Sequence, residues 1–188
     1  REAPDADGRE RAETGADASA DRAGGRATSD ASGDVLAGVE GALTDVRVES
    51  TGGAIHRYRG TWTGDRPAVV AALAPEHGDH RGAVDAFTEV VDRWESIGRS
   101  THVTTVFDSG TEPTPWVAFR ACDLGATDYV DDLAVGTQLR ICKEVAIALE
   151  VAHQNRMRGV GVRPDNVSVV SDRESRRVTL SGWGLYWR

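Results

Sequence analysis

Ala152-His153-Gln154-Asn155-Arg156-Met157-Arg158-Gly159-Val160-Gly161-Val162-Arg163-Pro164-Asp165-Asn166-Val167-Ser168-Val169-Val170, with Val178-Thr179-Leu180-Ser181-Gly182-Trp183-Gly184-Leu185 after it, is the stretch that decides the fold. Upstream of it, Leu139, Cys142, Val145, Leu149 and Ala152 recur at helical spacing. They predict a long helix over 137–157 with a buried stripe, Thr137 as its N-cap and His153 near its end. The glycines and Arg163-Pro164-Asp165-Asn166 cannot continue that helix and predict a tight loop. Val167–Val170 and Val178–Leu180 are apolar runs rich in β-branched residues around a charged turn, which reads as a hairpin.

Working outward toward the N-terminus, the pattern changes from helix to strand. Val46 and Val48 alternate, Thr51-Gly52-Gly53 interrupts, and Ile55–Trp62 resumes a half-buried alternation before the turn Thr63-Gly64-Asp65. Pro67–Pro75 is small and apolar throughout and reads as the next strand. Between 83 and 97, Val84, Phe87, Val90, Val91, Trp94 and Ile97 fall on one helical face. Two further strands follow, over 101–110 and 114–122, then Asp123-Leu124-Gly125 and a short acidic helix or loop over 127–135. A short helix is expected near 35–43, where Leu36, Val39 and Leu43 share one face. The fold class is therefore α+β.

The order of these parts resembles the protein kinase family. In that family the catalytic loop runs H-R-D-x-K-P-E-N and the metal-binding strand ends D-F-G-L. Here the two segments read Gly159-Val160-Gly161-Val162-Arg163-Pro164-Asp165-Asn166 and Gly182-Trp183-Gly184-Leu185. The resemblance implies an antiparallel five-stranded N-lobe with one main helix over 35–125. It also implies a partial C-lobe over 126–188 with the long helix, a catalytic-loop remnant and a β-hairpin. No counterpart of the activation segment, the substrate-binding helices or the A-P-E motif follows, so the C-lobe is expected to be truncated.

The same resemblance assigns roles position by position. Gly161 stands where the catalytic base, an aspartate, belongs, and Gly182 where the family's principal metal carboxylate belongs. The family's third strand carries a lysine for the nucleotide phosphates, paired with a glutamate of the following helix. The one lysine of this chain is Lys143, on the long helix, so that role is vacant; Glu89 lies near the position of its partner and also reads as a solvated surface residue. Gly52 and Gly53 match the phosphate-cradling loop, although G-x-G-x-x-G is absent and an ordinary hairpin turn accounts for them better. Phe119 would back the cleft, while the backbone of Arg120 and Cys122 would meet adenine. Arg163 replaces the loop lysine, Asn166 keeps the place of a second-metal ligand, and Asp165 matches a structural glutamate.

Composition bounds the remaining possibilities. The 188 residues carry a net charge of -8, which gives no reason to expect nucleic-acid binding. No apolar run suits membrane insertion. Cys122 and Cys142 are too few for a disulfide framework, so a reducing, cytoplasmic setting is expected. His56, His77, His80, His102 and His153 show no metal-site spacing beyond the pair His77 and His80. Residues 1–34 contain no Val, Ile, Leu, Met or aromatic residue and read as a disordered acidic linker. The resulting expectation is a pseudokinase, a noncatalytic regulatory or scaffolding module with a protein partner. It requires no cofactor, leaves room for metal-independent ATP binding, and has no use for Mg²⁺. The alternatives are an atypical ATP-using phosphotransferase or nucleotidyl transferase built on Arg163 and Asn166, and a protein-binding module with an occluded cleft.

Overall fold

A computed structural model of the chain describes residues 36–122, 124–125, 134–157, 162–163, 166–171 and 176–185. The expected linker over 1–34 and the acidic segment over 127–133 lie outside them, as do Gly161 and Asp165. The first unit is a five-stranded antiparallel sheet of β1 (Leu43–Ser50), β2 (Ile55–Trp62), β3 (Arg66–Leu73), β4 (Val106–Gly110) and β5 (Trp116–Arg120). Its spatial order is β1-β2-β3-β5-β4. A short helix α1 (Pro75–Gly78) leads into α2 (Arg81–Ile97), the one long helix of this unit among the described residues.

Alternation along β3 explains why its sequence is apolar throughout. Successive side chains of a strand point to opposite faces. Ala68, Val70 and Ala72 pack upward with Tyr58, Trp62, Trp116 and Ala118, beneath Val39 and Leu43. Val69, Ala71 and Leu73 pack downward against Phe87, Val91, Trp94 and Ile97 of α2, together with Val117 and Phe119. From Ala68 to Leu73 both faces of the strand are covered, so no polar position is left there; only Arg66 and Pro67 at its start are exposed.

The second unit holds β6 (Leu124–Gly125), α3 (Val135–Gln154), β7 (Val167–Ser171) and β8 (Arg176–Leu180), the strands forming a sheet in the order β6-β7-β8. The two units share one core, which runs from α2 through Ala148, Ala152, Val167 and Leu180 to Trp183. Backbone bonds tie the seam: Thr104 N–H donates to Leu180 O at 3.0 Å and Leu180 N–H to His102 O at 2.9 Å. Trp94 Nε1 adds a bond to Thr104 O at 2.8 Å.

Three local expectations are corrected. Val46 and Val48 do not face the core; they are exposed because β1 is an edge strand whose inner end alone, at Leu43, reaches the upper cluster. Thr137 does not cap α3, which begins at Val135 after Ala134 and has no side-chain cap bond. The stripe along α3 is only half buried: Ala148 and Ala152 are enclosed, whereas Leu139 is 66% exposed and Cys142 is also exposed. The helix meets β8 through its later turns, where the Glu144 carboxylate accepts the Val178 N–H at 2.6 Å. At its C-terminus, Arg156 has φ 61, and Met157 N–H and Arg156 N–H bond back to Ala152 O and His153 O. That is the Schellman pattern, with arginine where glycine is the usual residue.

Candidate functional site

A cavity of about 190 Å³ lies between the five-stranded sheet and the loop preceding β7. The end of β1 and the β1–β2 connection bring Ser50, Gly52 and Ala54 to its rim, and Ile55 and Arg57 of β2 with Ala71 of β3 form its roof. Phe119 closes the back, and Arg163, Gly182 and Leu185 make the floor. The register explains the roof: Ile55 pairs with Leu73 and Arg57 with Ala71, so these side chains share the face that looks toward the floor.

Aligning Val70-Ala71-Ala72-Leu73 with the V-A-I-K pattern of kinases puts Leu73 in the lysine's place. Leu73 is 1% exposed and belongs to the core packed against α2. Glu89 pairs with Arg93 one turn along α2 and is mostly exposed, as its reading as a solvated residue anticipates. Val91, two residues further on, is the side chain that turns inward.

A cation reaches the cleft from the neighbouring strand instead. The guanidinium carbon of Arg57 lies 6.0 Å from the Phe119 ring centroid, a cation–π distance. Its Nε is 3.6 Å from Glu49 Oε2, and Glu49 also binds Arg59. Phe119 is itself fixed by Trp94, with ring centroids 4.8 Å apart. Sequence reading missed Arg57. The signal was available in β2, because Ile55 and Arg57 are two residues apart and must share a face.

The floor is built by backbone bonds. Asn166 N–H donates to Arg163 O at 2.9 Å, and Ser181 N–H donates to Asn166 O at 2.9 Å, which joins the loop to the residue before Gly182. Gly182 has φ 77 and Gly184 φ 84, a conformation that a residue with Cβ adopts only with strain. Trp183 between them is 1% exposed and packs in the core, as expected of a residue kept for structure.

Of the residues singled out in the sequence, the cavity gathers Gly52, Phe119, Arg163 and Gly182. Gly53 lies in the β1–β2 turn with φ 88 and does not line it. Asn166 is buried beneath the floor at 1% exposure. Arg120 lines a different cavity, and Cys122 Sγ lies 3.7 Å from Thr179 Oγ1, outside the cleft lining.

The donor set bears directly on metal chemistry. Mg²⁺ takes near-octahedral oxygen ligands, usually with at least one carboxylate. Among the described residues, the charged side chains lining the cleft are Arg57 and Arg163, both cationic, and Gly182 has no side chain to offer. Among the described residues no cluster of His, Cys, Asp and Glu suits a metal ion. The described residues of the lining therefore do not fit a magnesium–nucleotide site.

No protein-family model matches the chain, and no curated protein matches it. Solved structures do. The Mycobacterium tuberculosis PknI kinase domain, as a point variant, superposes with a TM-score of 0.60 at 24% identity, covering 78% of this chain and 60% of that one. Another structure of the PknI kinase domain gives a TM-score of 0.58 at 22% identity, covering 77% and 61% respectively. The chain thus spans about 60% of the length of these kinase domains. At such identities the likeness speaks for fold alone. Sheet order, the single long helix beneath it, the hairpin after the loop and these superpositions lead to one conclusion: the chain has a protein kinase-like fold, comprising an N-lobe and part of a C-lobe.

Proposed function

We propose that this chain is a pseudokinase-type module, a noncatalytic regulatory or scaffolding domain that engages a protein partner and whose cleft holds a nucleotide through its phosphates without a metal. The observation that carries this reading is the charge of the cleft, where Arg57 and Arg163 are present and, among the described residues, no carboxylate lines the wall. Phosphoryl transfer in kinases depends on a positioned base and on metal ions that neutralise charge developing in the transition state. Gly161 and Gly182 supply neither carboxylate, and Leu73 supplies no cation. Arg57 and Arg163 offer charge to a bound polyphosphate, but neither replaces the base or the metal carboxylate.

The test is phosphate transfer from labelled ATP with Mg²⁺ or Mn²⁺, to the chain itself and to mixed protein acceptors. No incorporation above background is expected. Incorporation that disappears in Asn166→Ala would overturn the reading and favour the atypical transferase. The occluded-cleft alternative draws on one observation, the volume. About 190 Å³ is below the roughly 300–1,000 Å³ usual for small-molecule sites. Under that reading the cleft binds no nucleotide, and the surface alone is functional.

A further inference from the structure

The outward side of α3 is apolar, as the inward side is. Ala148 and Ala152 are enclosed, and Ile141, Val145 and Leu149 pack against the core. Val135 is nevertheless 69% exposed and Leu139 66%, and Cys142 and Ala146 are exposed with them. A helix that is apolar on both sides is normally covered on both. The four outward residues follow one another at spacings of four, three and four, the heptad seam along which one helix packs on another. Exposed Gln138 and Lys143 border the seam, and at Gly136 an added Cβ would meet nothing.

We propose that this seam is a self-association surface, and that its occupant is α3 of a second copy of the chain, packed antiparallel about a twofold axis. In a twofold contact, residue i meets j and j meets i, so a surface fits its own copy when large and small residues exchange places about a midpoint. The outward face of α3 has that arrangement. Val135 and Ala146 are equidistant from the midpoint between Arg140 and Ile141, and so are Leu139 and Cys142. Antiparallel pairing about that point sets Val135 against the second copy's Ala146 and Leu139 against its Cys142, each large side chain opposite a small one. Parallel pairing would instead set Leu139 against Leu139 and Ala146 against Ala146, crowding one layer and leaving a gap in another. The seam from Val135 to Ala146 is about 16 Å long at the helical rise, so the contact is small and the dimer forms reversibly with concentration. This surface is separate from the nucleotide cleft and does not rest on the reading of that cleft.

Analytical ultracentrifugation of the 188-residue chain under reducing conditions, from low micromolar to near-millimolar concentration, tests it. A reversible monomer–dimer equilibrium is expected. Leu139→Glu changes an exposed position and leaves the core intact; by burying a charge in the contact it should raise the dissociation constant about tenfold or more. A second variant, Val135→Cys with Ala146→Cys and Cys142→Ser, reads the register. Its two new thiols lie too far apart along one helix to bridge within a copy. Mild oxidation is therefore expected to join position 135 of one copy to position 146 of the other, a linkage read by mass spectrometry of the digested dimer. A chain that stays monomeric over the whole range, a dimer that Leu139→Glu leaves unchanged, or bridges that join only like positions would overturn the proposal.

Discussion

Arg57 stands directly across the β2–β3 ladder from Ala71, and both line the cleft, while Leu73, at the family's lysine position, is turned into the core. The cation of the roof therefore comes from β2. Its Glu49 partner and its position over Phe119 hold it at the back of the cleft.

Putting lysine back at Leu73 is expected to harm the protein without restoring transfer. The position is 1% exposed, among Phe87, Val91 and Trp94. An ammonium group buried there without a counterion costs about 3–5 kcal/mol. Denaturant unfolding of Leu73→Lys should show that loss, and labelled ATP should still give no product.

Gly182→Asp returns a carboxylate to the floor at a backbone with φ 77. The left-handed conformation costs a residue with Cβ about 1–2 kcal/mol. The expected outcome is a modest fall in stability together with a Mg²⁺-dependent gain in ATP affinity. Isothermal titration with and without Mg²⁺ measures both sides of that exchange.

Arg156→Gly should stabilise the chain. Arginine holds the left-handed position after α3, which glycine adopts without strain. The bond that Arg93 makes is to the Arg156 backbone carbonyl, so it survives the change. After the greater freedom of glycine in the unfolded chain is set against the relief of strain, a gain of about 0.5–1 kcal/mol is expected in thermal unfolding.

Glu144→Ala tests the attachment of α3 to the hairpin. The carboxylate is 14% exposed and accepts the Val178 N–H. Removing it leaves a partly buried donor unpaired, at a cost of about 1–3 kcal/mol. Hydrogen exchange at Val178 should accelerate correspondingly.

How much of this was legible in the sequence depended on how local the cause was. The apolar run of β3, the inward face of α2 and the strand pair leading to Gly182-Trp183-Gly184 are written in neighbouring residues, and each takes its expected place. Leu139 and Cys142 obey the same helical spacing as Ala152 but remain exposed, because periodicity defines a face without saying what covers it. Arg57 was hidden for a related reason. Alternation shows that it shares a side with Ile55, but only the packing of the sheet over the loop makes that side the roof of a cleft. The second cavity, which Arg120 lines, unites it with Arg99 and Arg177, which are far apart in sequence. No short-range pattern brings them together.

The most direct test of the central claim is thermal unfolding of the chain with ATP in EDTA and with ATP in Mg²⁺, beside the variant in which Arg57 and Arg163 are both alanine. A ligand at about a hundred times its dissociation constant stabilises the fold by about 2.7 kcal/mol. The account predicts a shift of that order in EDTA, no larger in Mg²⁺, and absent from the double variant. A shift that appears only with Mg²⁺, or one that the double variant retains in full, would contradict it.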